Sequence, residues 1–222
     1  NLSTDYSDGS LRVKVNGKPV PSYTVRVTSP SISELDVAQS STLTAAGLDV
    51  GDLEMEASST GKLIVSGRAA SAEIDASSSS MVDASNLVAG AIEIEATSSA
   101  DVLAHAVTSR RAEIEASSSS DVQLFLESSA DIEVEASSST DVVLNGTCNQ
   151  IIVDASSSAD VKAGKLACKS ADIDASSSAD VIVSVSDAID AHASSGADIS
   201  VFGSPPQADT RESSGGDISF KS

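Results

Sequence analysis

Carboxylates carry the most visible chemistry in this chain, because they recur at fixed intervals. One series reads Glu56, Asp75, Glu95, Glu115, Glu135, Asp154 and Asp174. A second, two residues earlier in each interval, reads Glu54, Glu73, Glu93, Glu113 and Glu133, then resumes at Asp172, Asp190 and Asp209 after Ile152. If equivalent residues stack about 4.8 Å apart, neighbouring carboxylates repel by about 0.9 kcal/mol even at the dielectric constant of water. Rows of this kind attract cations, raise carboxylate pKa values or meet a basic partner. The central stretch Glu93, Glu95, Glu113, Glu115, Glu133 and Glu135 is the candidate cation-attracting ladder, and calcium is the hard, oxygen-loving ion that suits it. The default for such rows is a solvated, solubilising face. Weak, diffuse cation attraction comes before a built site, and the Gly-Gly-x-Gly-x-Asp calcium repeat is absent.

A third series is Asp101, Asp121, Asp141, Asp160, Asp180, Asp198 and Asp217, each just after a Ser-rich run. An aspartate at a fixed corner accepts bonds from nearby backbone N–H groups, so this row is read as structural. Lys62 and Met81 replace its early members, which does not suit a metal array. Asp174, His192 and Arg211 occupy one column and should stack consecutively. A His and an Asp in a Ser-rich chain suggest a hydrolase, but no Gly-x-Ser-x-Gly elbow marks one serine. No catalytic or cofactor-binding residue is assigned, and His105 reads as a surface or satisfied histidine. Cys148 and Cys168 lie 20 residues apart, each seven residues before the next Ala-Ser-Ser-Ser phrase. In-register stacking brings their Cα atoms within disulfide range. A bridge there would suit an oxidising compartment; the alternative is two reduced, partly buried thiols.

These residues are spaced by a repeat. Ala-Ser-Ser-Ser-x-Asp-Val, as in Ala136–Val142, Ala155–Val161 and Ala175–Val181, has looser copies beginning at Ala57, Ala76, Ala96, Ala116, Ala193 and Glu212. The spacings are 19, 20, 20, 20, 19, 20, 18 and 19 residues, and a degenerate tenth copy starts at Ala38. Disordered Ser-rich tracts do not keep such register. Two residues before the anchor stand Met55, Ile74, Ile94, Ile114, Val134, Val153 and Ile173, with acids on either side. That is the period of a strand with one buried face. A second strand after the serines places Leu63, Val82, Val102, Val122, Val142, Val161, Val181, Ile199 and Ile218 inward, followed two residues later by another all-apolar column that ends at Phe220. A 20-residue unit cannot bury its own core, so neighbouring units must cover it. The expected fold is all-β: a right-handed parallel β-helix, or β-solenoid, of about 20 residues per turn. Ser triplets such as Ser117–Ser119 and Ser156–Ser158 form its corners.

Residues 1–35 read as an N-terminal strand pair or capping turn, and residues 36–222 as one continuous solenoid. The proposed pair is Leu11–Val15 and Tyr23–Val27, joined through Asn16-Gly17 and two prolines. Gly203-Ser204-Pro205-Pro206 interrupts the pattern before the last copy. Composition excludes several partners. With 33 acids against 13 bases the chain carries a charge of −20, which argues against nucleic acid. No apolar run approaches the length of a membrane span. The absence of an initiator Met and of a signal peptide is consistent with a processed exported protein.

The phrases Asp198-Ile199-Ser200-Val201-Phe202-Gly203-Ser204-Pro205 and Ser213-Ser214-Gly215-Gly216-Asp217-Ile218, with the recurring Ser-rich Asp-Val phrase, resemble the head GIN domain family of putative auto-transporter adhesins. The resemblance covers roughly residues 10–221, with Ser here where that family often has Gly. It implies a right-handed parallel β-helix exported by a bacterium of the Bacteroidetes type, and it brings no catalytic residues. The expected function is a non-enzymatic surface or secreted adhesin whose ligand is a glycan or a protein. A polysaccharide lyase or hydrolase is the enzymatic alternative, on fold analogy alone. Its cationic and aromatic requirements are poorly met, since Lys162, Lys165, Lys169 and Arg110-Arg111 are scattered and aromatics make up 2% of the chain. A structural envelope spacer is the third reading. An ice-binding solenoid is disfavoured by the lack of Thr-x-Thr arrays.

Overall fold

The structure is a computed structural model describing residues 2–15, 24–29, 31–107 and 111–221, which fall into two compact units, 1–30 and 31–222. Asn16-Gly17, the two prolines after it, Tyr23 and Arg110 lie outside the described residues.

The first unit is built on an antiparallel hairpin of β1 (Leu2–Ser7) and β2 (Ser10–Val15). The partner of Leu11–Val15 is thus the preceding segment, and residues 24–29 carry no strand. The cause is Asp8-Gly9, with φ of 52° and 81°, a two-residue turn whose left-handed pair matches the twist of the flanking strands. Asp5 stands opposite Arg12 on one face, while Leu2, Tyr6, Leu11, Val13 and Val15 share the other and are exposed.

The second unit is a β-solenoid of parallel strands running from Glu34–Val37 to Asp217–Lys221. The register joins ten anchors: Val37, Ala57, Ala76, Ala96, Ala116, Ala136, Ala155, Ala175, Ala193 and Glu212. The first anchor is therefore Val37, one residue before the expected Ala38. A one-residue slip would turn Leu35 and Val37 outward, and both are buried. The correction extends the acidic rows by Glu34, opposite Glu54, and Asp36, opposite Glu56.

Each rung has the same inward set. Met55, Ile74, Ile94 and Ile114 before the anchor are fully buried, as are Leu63, Val82, Val122 and Val142 after the corner. Ala occupies the anchor column because the backbone turns tightly there, and only a small side chain fits inside the bend. Each fully buried Val, Ile or Leu contributes about 1.5–3 kcal/mol relative to exposure. That burial, shared between adjacent rungs, is what holds the stack. Phe220, on the last described rung, is 48% exposed although its column is apolar.

The corners explain the serines. In every rung the second and third residues after the anchor have positive φ, as at Ser118 (59°) and Ser119 (63°) or Ser157 (56°) and Ser158 (63°). This double left-handed bend closes most turns with a bond such as Ala159 N–H to the Ser156 carbonyl, 3.2 Å. Adjacent corners are tied by bonds such as Ser119 N–H to the Ser138 carbonyl, 3.0 Å. Ser80 and Ser120 turn inward, each donating its hydroxyl over 2.9 Å to the anchor carbonyl of the rung before, Ala57 or Ala96. An L-residue held in the left-handed region costs about 1–2 kcal/mol, a cost glycine escapes. Gly196 (76°) and Gly215 (82°) already hold the third corner position in the last two rungs. Ser119→Gly and Ser139→Gly should each stabilise the protein by about 0.5–1 kcal/mol after the entropy of glycine is subtracted. A thermal melt checks this; a lowered melting temperature in both variants would contradict the strain account.

A second corner follows ten residues after the anchor, where Gly47, Gly67, Gly146 and Gly203 have φ of 72°, 135°, 120° and 109°. Gly203 therefore does not interrupt the coil: Gln207–Glu212 pairs with the strand before it, Ala188 opposite Gln207.

Candidate functional site

The strand before each Ser-rich corner presents two outward positions per rung, one and three residues before the anchor. Alternation puts their neighbours Ile, Val and Ala inside, so the acids have only one side to occupy. The register confirms two continuous rows on that side. One runs Glu34, Glu54, Glu73, Glu93, Glu113, Glu133, Ile152, Asp172, Asp190, Asp209. The other runs Asp36, Glu56, Asp75, Glu95, Glu115, Glu135, Asp154, Asp174, His192, Arg211. The spacing between rungs is set by the strand ladder, and at Cys148 and Cys168 the Cα atoms are 4.5 Å apart.

The six residues of the candidate cation ladder thus form three facing pairs on consecutive rungs: Glu93 with Glu95, Glu113 with Glu115, and Glu133 with Glu135. A cation of the chain itself sits beside them. Arg111, two residues before Glu113 and on the same side, pairs with Glu113 at 3.5 Å and donates a short bond to Glu133. Among the described residues no three acidic, His or Cys side chains converge to hold a metal ion. At the far end His192 Nδ1 lies 3.1 Å from Asp174 Oδ1, and Arg211 pairs with Asp209 at 3.2 Å and Asp190 at 4.0 Å. His192 meets Asp174 and no serine hydroxyl among the described residues. A shallow groove follows the inner edge of the row, floored by Ala171, Ala188 and Ile189 and walled by Asp172 and Asp190.

Stacked carboxylates alter one another's protonation. Asp172 is raised above its ordinary value of 3.8, first by burial among its neighbours and then by the charges of Asp190 and Asp174. Asp121 and Asp180, in the Asp row on the other side of the corner, are raised for the same reasons. A carboxyl with a raised folded pKa binds its proton more tightly when folded. Its stabilising contribution is therefore complete below the unfolded value near 3.8 and fades as pH rises through the folded value. The melting temperature should accordingly rise as pH is lowered from 7 toward about 4.5, and the rise should shrink in about 0.5 M salt. A melting temperature that falls steadily over that range would contradict it.

The Asp row behaves differently from expectation. Asp101, Asp121, Asp141, Asp160, Asp180, Asp198 and Asp217 begin the strand after the corner and point outward; no corner N–H bonds to their carboxylates among the described residues. Those N–H groups are already taken by carbonyls of adjacent rungs, as in Ser117 to Ala96 and Asp121 to Ala100, both 2.9 Å. Lys162 is the row's partner, donating a short bond to Asp141 and pairing with Asp160 at 3.2 Å. On the same side His105 stacks edge-on against Phe125, with ring centroids 5.3 Å apart, and its Nε2 lies 3.3 Å from Glu127. The two cysteines stand opposite each other in adjacent rungs, buried and joined by a disulfide.

A family model described as "Putative auto-transporter adhesin, head GIN domain" matches residues 1–125 and again 102–205. No curated protein and no solved structure matches the chain.

Proposed function

The chain belongs to the head GIN domain family of putative auto-transporter adhesins, and from that membership we propose that it is an exported, cell-surface binding protein whose acidic rows are its contact face. One observation carries this reading: two in-register rows repeat the same outward carboxylates over consecutive rungs on one side of the solenoid. A partner held by one Glu pair meets an equivalent pair on the next rung, so individually weak contacts combine into avidity. Negative charge of this density selects a partner surface bearing Lys or Arg and speeds its approach. Arg111 shows the contact on a small scale, its guanidinium between carboxylates of adjacent rungs.

The enzyme alternative receives little from the geometry. The groove beside Asp172 and Asp190 has no aromatic lining among the described residues, and Arg211 next to it is already paired with Asp209 and Asp190. Binding of the whole chain to a panel of extracellular-matrix proteins and immobilised glycans, at about 0.15 and 0.5 M salt, tests the function. Retention on basic members that weakens at least tenfold at the higher salt is the expected result. Absence of binding across the panel, together with reducing-sugar release from any polysaccharide, would replace it with the enzyme reading.

A further inference from the structure

The strand after the Ser-rich corner carries a second surface of different chemistry. Its outward positions include Met81, Leu103 and Phe125, on three consecutive rungs and 40%, 41% and 46% exposed. The register sets Met81 beside Asp101 and Leu103 beside Gln123, so each apolar residue lies one rung on and two positions further along the strand. The three make a diagonal stripe with steps on the order of 8 Å, from the rung spacing and the strand rise. Asp101 and Asp121 border it on the corner side. An exposed apolar stripe with a charged border is the usual composition of a contact surface.

The protein supplies its own example of what fits there. Lys162 occupies, four rungs after Asp83 and three after Leu103, the same outward position of its strand. In register it stands between Val143 and Ile182. Its ammonium bridges Asp141 and Asp160, successive members of the Asp row. That bond to Asp141 is also the first cause of the raised Lys162 pKa. An ammonium thus fits between two consecutive aspartates when its alkyl stem lies along this face. Between Asp101 and Asp121 no cation is present among the described residues; the position equivalent to Lys162 there is the neutral Gln123, with Leu103 beside it on the rung before and Phe125 two residues further along its strand.

The geometry points to a docking surface on this face for an extended protein segment that alternates lysine with large apolar side chains: an ammonium lies between Asp101 and Asp121 and the apolar residues cover Leu103 and Phe125. This deepens the binding reading, on which it rests, by naming the partner's chemistry. It differs from the acidic rows in needing apolar groups as well as charge.

Two synthetic peptides of equal length test it, one alternating Lys with Leu and one alternating Lys with Ser, titrated calorimetrically into the whole chain at about 0.15 M salt. Leu103→Ser combined with Phe125→Ser should weaken the Lys–Leu peptide at least tenfold and leave the Lys–Ser peptide unchanged. Asp101→Asn with Asp121→Asn should weaken both. All four positions are exposed, and a single cooperative melt, close to wild type for the Leu103→Ser, Phe125→Ser variant and at or above it for the Asp101→Asn, Asp121→Asn variant, confirms folding. Equal affinity of the Lys–Leu peptide for wild type and the Leu103→Ser, Phe125→Ser variant overturns the docking surface, as does failure of that peptide to bind wild type. Either result leaves the matrix panel to decide the broader binding function separately.

Discussion

Replacing Gly146 with alanine should cost the solenoid about 3 kcal/mol. Two causes act together. The φ of 120° lies in a region that L-residues rarely adopt, and a Cβ there would run into the carbonyl oxygen of Leu126 on the preceding rung. The chain can relieve that overlap only by opening the ladder between Leu126 and Gly146, which are paired in register. For a domain of this size such a loss lowers the melting temperature by about 6–12 °C. Gly51→Ala is the control: its φ is not positive and nothing lies within 4 Å of the added carbon, so it should be neutral or slightly stabilising. Equal melting temperatures for the two variants would contradict the second-corner account. Because rungs contact only their neighbours, hydrogen exchange in the Gly146 variant should rise most in the strands on either side of it.

The second large effect belongs to the cysteines. Cys148 and Cys168 are both buried and join adjacent rungs across a separation of 20 residues. In the chain-entropy model, closing a loop of this length in the unfolded chain is worth about 3 kcal/mol. Ala69 and Ala89 stand at the same distance before their anchors and are buried there, so alanine fits the position. Cys148→Ala with Cys168→Ala should therefore lower the melting temperature by about 6–12 °C without changing the fold. Reductant should do the same to the parent chain and nothing to the variant. Two reactive thiols in the native, unreduced protein would remove the bridge from the account.

Much of the architecture was legible because two periods coincide. The 20-residue interval and the strand alternation together assign inward columns such as Met55–Ile74–Ile94–Ile114 and the outward acids beside them. The remaining features have weaker periodicity. Gly47, Gly67, Gly146 and Gly203 each stand ten residues after their anchors, but Asn86, Ala106, Leu126, Lys165 and Val185 hold that place in other rungs, so the second corner does not stand out as the Ser triplets do. Ala38 matches the Ala of the phrase and so reads as the first anchor, whereas burial selects Val37. Asp8-Gly9 sets the hairpin because it lies directly between two strands of matching length, Leu2–Ser7 and Ser10–Val15. The Asp row reads as a corner device from its neighbours in sequence; only the hydrogen bonds show the corner N–H groups already engaged. The stripe of Met81, Leu103 and Phe125 cannot be read as a column at all, because it runs diagonally across three rungs.

The charge of −20 is thus organised into rows, and the function assigned to them can be measured directly. Glu95, Glu115 and Glu135 lie on consecutive rungs of one row, exposed and opposite one another in register. Changing all three to lysine reverses the charge at the centre of the face without touching the core. The decisive measurement is the affinity of this variant, relative to the parent chain, for a basic member of the matrix panel at about 0.15 M salt. A loss of at least tenfold, with an unchanged melting profile, is the result predicted by a contact face built from stacked carboxylates. Undiminished binding by the charge-reversed chain would contradict it.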